Sequence, residues 1–208
     1  MSASPSDPLA ATLPPLARPL ILGSTSRYRH ALLQRLGVPF VTDSPHVDET
    51  ALPGEQPVDM ALRLARAKAH AVAERHPQAV VIGSDQVADL HGLALGKPGT
   101  HERAVAQLQQ MSGQTVVFQT ALCVVCGATG FEQAEVAAVR VVFRSLGREE
   151  IERYLIAEQP YDCAGSAKSE GMGIALLERI DNDDPTALVG LPLIRTCRML
   201  RAAGLTIP

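Results

Sequence analysis

Two apolar runs that stop at the same pair of small residues constrain this chain most. Leu20-Ile21-Leu22 ends at Gly23-Ser24, and Ala79-Val80-Val81-Ile82 ends at Gly83-Ser84 with Asp85 next. Short β-branched runs without polar alternation are the pattern of strands buried on both faces, in a sheet covered by helices. Ligands of such sheets collect at strand ends. Asp85 therefore reads as an acid delivered into a cleft or as a plain turn-starting Asp. The other run tips the balance towards a cleft. Ser24-Thr25-Ser26 is followed by Arg27 and Arg29, which would place an anion cradle beside the acid.

The rest of the pattern predicts a mixed architecture. A strand over 20–23 leads to a helix that Ser26 caps and Gly37 stops, running to about Leu36. A strand over 38–42 is followed by a polar loop, 43–57, that contains Asp48 and Glu49. A helix is expected over 58–75 and a strand over 78–83, with Asp85 at its end. Residues 86–90 and 93–95 flank His91-Gly92 as a hairpin. Thr100 caps a helix to Met111, and two β-rich stretches follow, 115–125 and 135–143. A helix over 148–158, a loop around 164–170, a strand over 174–180 and a helix over 191–203 complete the chain. Such βα units interleaved with antiparallel β imply an α/β fold, a mixed β-sheet with flanking helices forming two lobes around a central cleft. Residues 1–18 contain Pro5, Pro8, Pro14 and Pro15 and lack a charged start before an apolar core. They read as a flexible N-terminal arm, leaving 19–208 as one domain.

Charge and composition exclude several classes. At 208 residues the formal net charge is −3, so there is no general basic surface for nucleic acid. A polyanionic ligand must be met by local cations or a metal. No apolar run approaches the ~18 residues needed to span a bilayer. Neither nucleic acid nor membrane is an expected partner, and a cytoplasmic location is expected. Cys123-Val124-Val125-Cys126 has the spacing of a metal site, but no second pair accompanies it. In a strand, positions i and i+3 face opposite ways. These two cysteines, with Cys163 and Cys197, read as buried free thiols without chemistry.

The candidate site residues each have a bland reading beside the functional one. A helix start with three hydroxyls favours an anion, and Arg29, one turn past the cap, could close over it. The same residues also describe an ordinary N-cap with a solvated arginine. Gly96-Lys97-Pro98 is not a P-loop, because Gly92 is wrongly spaced and Pro98 stands where a Ser or Thr should bind magnesium. Lys97 could still face a phosphate as a point charge. Lys68 falls on the apolar row of its helix with Ala61, Leu64 and Val72. It either snorkels from the core edge or reaches under the sheet edge to the same anion.

Seven motifs in order now match a known family. They are Ser24-Thr25-Ser26 with Arg29, Val47-Asp48-Glu49, Arg66-Ala67-Lys68-Ala69, Gly83-Ser84-Asp85, Gly96-Lys97-Pro98, the loop Ala164-Gly165-Ser166-Ala167-Lys168-Ser169-Glu170-Gly171, and Val189-Gly190-Leu191-Pro192-Leu193. Together they resemble the Maf family of nucleoside triphosphate pyrophosphatases, from about Leu20 to the C-terminus. The resemblance implies a fold shared with house-cleaning inosine triphosphatases. It also implies hydrolysis between the α- and β-phosphates with a divalent metal cation, Mg, Mn or Co. By resemblance, Asp85 is the catalytic acid that acts as base. Ser24, Arg29, Lys68 and Lys97 contact phosphate, and Glu49 joins Asp85 at the metal. The usual second arginine after the serine loop is His30 here, which leaves that phosphate contact open. The partner implied is a small-molecule nucleotide substrate, and a homodimer is left open.

Within the family, Gln86 and the Lys168-Ser169-Glu170-Gly171 loop resemble the subgroup that acts on 7-methyl-GTP. The thymidine/uridine subgroup carries Thr after the acid and Gln in the late loop. Charge favours the same choice. A 7-methylguanine ring is cationic, and Glu170 could accept from its N1 and N2 edge while offsetting that charge. Tyr28 could stack on such a ring, or be a surface residue of its helix. The alternatives are a broader house-cleaning pyrophosphatase and a nucleotide-binding regulator of cell division. The regulator would have no use for Asp85, Glu49, Lys68 and Lys97 together.

Overall fold

In the computed structural model, which describes residues 16–207, the strand carrying Asp85 does not stop at Gly83. The N-terminal arm expected over 1–18 lies outside the described residues as far as residue 15. The elements are β1 (Leu20–Gly23), α1 (Arg27–Gln34), β2 (Val41–Thr42), α2 (Pro57–Ala73), β3 (Val80–Leu90), β4 (Leu93–Leu95), α3 (His101–Met111), β5 (Thr115–Cys126), β6 (Phe131–Phe143), α4 (Arg148–Glu158), β7 (Leu177–Asp181) and α5 (Leu193–Ala202). The strands form one seven-stranded sheet in the order β2-β1-β3-β5-β6-β7, with β4 also on β3. β1 runs parallel to β2 and β3, and the other pairings are antiparallel. This is the expected mixed sheet with flanking helices.

What ends at Gly83 is the pairing with β1, not the strand. β1 pairs with β3 from Leu20↔Val80 to Gly23↔Gly83, whereas β5 pairs with it from Val81 through Asp89. The continuous partner β5 carries the chain straight past the glycine. On the other side β4 takes over only at Ala88. Residues 84–87 of β3 therefore present an open edge between the end of β1 and the start of β4. The residues expected as the first arm of a separate hairpin, 86–90, are the second half of this same strand.

That gap divides the buried side chains into groups. The first half of β3 packs with β1, α1, α2 and α5, through Leu22, Leu33, Ile82 and Met199 on one face and Ala65, Ala69 and Val81 on the other. The second half packs with α3 and α4 through Ala88, Leu108, Phe118 and Leu155. Burying each large apolar side chain contributes roughly 1.5–3 kcal/mol, so each lobe has its own source of stability. Cys123 and Cys126 fall on opposite faces of β5, as their spacing predicts, and both are buried free thiols. Cys163 and Cys197 differ from expectation in being only half-buried.

α2 reaches the sheet unusually closely. It begins with Pro57 at its first turn and lays Ala61, Ala65 and Ala69 on the sheet. A Cβ at Gly83 would stand 2.3 Å from the Ala65 carbonyl oxygen and 2.5 Å from the Ala69 nitrogen. Only glycine admits the helix backbone here. Three boundaries also shift. The strand expected over 38–42 shrinks to Val41–Thr42, because Val38 turns into the core after Gly37, whose φ is 68°. β6 starts at Phe131, paired to Cys126, earlier than 135. Residues 174–176 form the end of a 3-10 turn, so β7 begins only at Leu177.

Candidate active site

Asp85 points to the α2 side of β3, and its neighbour Gln86 to the other, as adjacent strand residues must. Both nevertheless line one cleft of about 780 Å³, because the cleft wraps around the open edge of β3. Ser24, Tyr28, Arg29, Glu49, Lys68, Lys97 and Glu170 line it as well. The nine residues given site roles from sequence thus share one cavity.

The acid lies at its centre, paired with a lysine. Lys68 is buried, and its Nζ lies 2.6 Å from Asp85 Oδ1 and 2.6 Å from Glu49 Oε1. It therefore neither snorkels to bulk water nor stands alone. The close approach of α2 over Gly83 sets this geometry, since Lys68 lies on the turn between Ala65 and Ala69. Burial alone would raise Glu49, but the Lys68 hydrogen bond and charge, aided by Lys97 and Arg29, hold it below the usual carboxylate range. Glu49 stays ionised on the open side of the pair, where its side chain is half-exposed.

The residues expected to cradle an anion come together at the start of α1. Ser26 caps α1 by accepting from the Arg29 backbone N–H, and Ser24 Oγ accepts from the Ser26 N–H at 3.1 Å. Arg29 turns back across the cleft, and its Nε donates to the Gly190 carbonyl at 2.8 Å. Desolvation pulls its guanidinium below the ordinary value, with the charges of Asp85 and Glu49 opposing. Lys97 is exposed on a loop held by Gln107, which donates to the Gly96 carbonyl at 3.0 Å. His30, by contrast, packs its ring on Phe40 at 5.1 Å and does not line the cleft.

The far wall carries Tyr28, Glu170 and a clamped loop. Tyr28 Oη accepts from Arg27 and contacts Asp162 at 3.3 Å, and the Cys163 thiol lies 3.7 Å away. Burial first, with the Cys163 contact, pushes the Tyr28 phenol up to about 12. The Arg27 guanidinium sits 4.9 Å and the Lys168 ammonium 6.0 Å from its ring centre, so the ring already accommodates cations. Glu170 is exposed on the loop between Lys168 and Gly173. α4 clips that loop from behind. Tyr154 Oη donates to the Ser166 carbonyl and accepts from the Lys168 N–H, while Glu158 binds Lys168 Nζ at 2.5 Å and the Met172 N–H at 2.7 Å.

Several contributors left little trace in the sequence. Ser84 Oγ donates to the Ala121 and Gly190 carbonyls, and Thr120 Oγ1 donates to the Ala187 carbonyl. The turn at 187–190 is thereby stitched to β3 and β5 through main-chain oxygens, which no side-chain pattern reveals. Thr120, a hydroxyl in an otherwise apolar stretch of β5, was the available hint. Among the described residues no three His, Cys, Asp or Glu side chains form a ready-made metal cage, and no helix is long and apolar enough to cross a membrane.

Comparison with known proteins identifies the family. Residues 19–203 match the family described as Maf-like protein. A 7-methyl-GTP pyrophosphatase of Polaromonas sp. (strain JS666) is 72% identical over 198 residues, covering 95% of this chain and 90% of that protein. Its namesake in Albidiferax ferrireducens is 66% identical over 193 residues, covering 93% and 97%. That of Burkholderia thailandensis is 63% identical over 188 residues, covering 89% and 87%.

Proposed function

The chain belongs to the Maf family, and on that premise we propose that it hydrolyses 7-methyl-GTP to 7-methyl-GMP and pyrophosphate. The observation that carries this reading is the convergence of Asp85 and Glu49 on one buried lysine, in a cleft that also holds Arg29, Lys97 and Glu170. The activity named for the relatives supports the choice of base.

The residues divide the work by the sides of the β3 edge. A water oxygen attacks the α-phosphorus, and the bond from that phosphorus to the oxygen bridging to the β-phosphate breaks. Pyrophosphate leaves with the bridging oxygen and its electron pair, and the water proton passes to the Asp85 carboxylate. Arg29 has committed Nε to Gly190, which leaves its two terminal nitrogens to bind the phosphates. Lys68 and Lys97 add point charge, and Ser24 closes the cradle with its hydroxyl. Glu170 balances the positive charge of the methylated ring, and Tyr28 offers it an aromatic face.

Glu49 and Asp85 fit a divalent cation. They are hard oxygen donors that converge on one positively charged atom, each at 2.6 Å, and each keeps a second carboxylate oxygen. Magnesium-type sites commonly use one or two carboxylates and take the remaining oxygens from water and substrate phosphate. Mg²⁺, Mn²⁺ or Co²⁺ held there would neutralise phosphate charge and polarise the α-phosphoryl group.

The test is pyrophosphate release from 7-methyl-GTP, GTP, UTP and dTTP with each of the three metals. The reading expects the highest kcat/KM on 7-methyl-GTP and negligible turnover without metal. A preference for UTP or dTTP, or equal use of all four, would overturn it.

A further inference from the structure

Gln107 lies on α3 and does not line the cleft, yet its amide joins two loops that do. Nε2 donates to the Gly96 carbonyl at 3.0 Å, and Oε1 accepts from Ser166 Oγ at 2.6 Å. A carbonyl can only accept, so the amide has one orientation and the Ser166 hydroxyl is the donor at its other end. Ser166 is a firm post for this bridge. It is fully buried, its N–H donates to the Cys163 carbonyl at 3.2 Å, and its carbonyl accepts from Tyr154 Oη at 3.2 Å. Its φ of 55° lies in the left-handed region, where a residue with a side chain is strained. Strain of this kind persists where the surroundings impose it, and here a serine keeps its hydroxyl on Gln107.

The other end of the bridge is the residue before Lys97. Residues 96–100 belong to no strand or helix, and a Cβ at Gly96 would meet nothing within 4 Å. Gly96 is held by its carbonyl, which accepts from Gln107 and from the Gly165 N–H at 3.4 Å. Beyond Lys97, Pro98 is buried and the Gly99 N–H donates to the Tyr161 carbonyl at 3.1 Å. Lys97 stands between these two anchors. Its side chain is long, flexible and exposed, so the placement of its backbone decides whether the ammonium meets a phosphate. We infer that Gln107 is a positioning residue for the reaction: through the Gly96 carbonyl it holds Lys97 at the leaving pyrophosphate, with Ser166 fixing the direction of its amide. The inference rests on the phosphate role proposed for Lys97 and extends it to a residue that touches no substrate.

The experiment is a double-mutant cycle in kcat on 7-methyl-GTP, with Tm measured on every protein. Gln107→Leu should lower kcat by roughly ten- to hundredfold, and Lys97→Ala by at least as much. In the Lys97→Ala background, Gln107→Leu should change kcat by less than about twofold, because the charge it positioned is gone. Gln107→Glu keeps the length and the acceptor for Ser166 but loses the donor to Gly96. It should lose kcat as Gln107→Leu does, and it replaces the leucine variant in the cycle if that protein fails to fold. Ser166→Gly suits the 55° backbone and removes only the hydroxyl, so it should lower kcat by a smaller factor. A wild-type kcat in Gln107→Glu overturns the inference. So does a Gln107 variant that slows the Lys97→Ala protein as much as it slows wild type, the mark of a merely structural role. If another triphosphate is preferred, the reading of the base fails and the same cycle on that nucleotide judges Gln107. A wild type that turns over no triphosphate overturns both.

Discussion

Replacing Gly83 with alanine should damage catalysis through a helix, without touching a catalytic group. The new Cβ would stand 2.3 Å from the Ala65 carbonyl oxygen and 2.5 Å from the Ala69 nitrogen. Both atoms belong to the α2 backbone and cannot swing aside as the tip of a side chain could. Ordinary contact begins near 3.4 Å, so α2 must retreat from β3 by about 1 Å. Lys68 rides on that turn, and its 2.6 Å contact with Asp85 would be lost. Overpacking of this kind costs about 1–3 kcal/mol, which for a chain of this size lowers Tm by roughly 2–12 °C. A displacement of about 1 Å at the chemistry costs on the order of a hundredfold in rate. The assays are pyrophosphate release from 7-methyl-GTP and thermal unfolding. Gly147→Ala is the control, since nothing lies within 4 Å of that Cβ and its φ is an ordinary −78°. The control should stay within about 1 kcal/mol of wild type. A Gly83→Ala protein with wild-type kcat/KM and Tm would refute the idea that close docking of α2 sets the Lys68–Asp85 pair.

Asp85→Asn should fold normally but lose ~10²–10⁴-fold in turnover, and near wild-type activity would remove Asp85 from the mechanism. Glu170→Gln keeps the size and removes the charge, so the preference for 7-methyl-GTP over GTP should fall by about one to two orders of magnitude; an unchanged ratio means that Glu170 serves only the loop. Lys97→Ala should slow every triphosphate by a similar factor, and a change in the ranking of bases would show that its role is not on phosphate. Glu55 anchors the loop that carries Glu49, and its hydrogen bonds from Arg63, then from the Leu52 N–H, hold it down to about 2 from an ordinary 4.5. A depressed carboxylate contributes stability that is complete above its ordinary value and lost as pH falls through the depressed one. Tm measured between pH 4.5 and 2 should therefore fall less steeply in Glu55→Gln than in wild type, the two converging at the acid end. Parallel Tm curves across that window contradict the assignment.

The sequence by itself determined the mixed sheet, most of the elements and nearly the whole inventory of the site. Strand and helix identity follow from local apolar pattern, and Ser26 and Thr100 cap the helices their positions predict, because capping is decided within a few residues. Even the opposite faces of Cys123 and Cys126 follow from strand period. Gly83 was legible as special, but its meaning was not. In the chain it looks like the end of a strand; in the fold it is a seat for α2, and β5 carries the strand beyond it. Lys68 was likewise visible as an oddity on an apolar row, while its choice of Asp85 and Glu49 over solvent depends on how closely a helix approaches a sheet. The orientation of Gln86 was the least legible, because the atoms that fix it are main-chain carbonyls about a hundred residues away, the same in every amino acid. Side-chain chemistry is written in the sequence, but the direction in which a hydrogen-bonding group faces is settled only when the backbone of another segment arrives beside it.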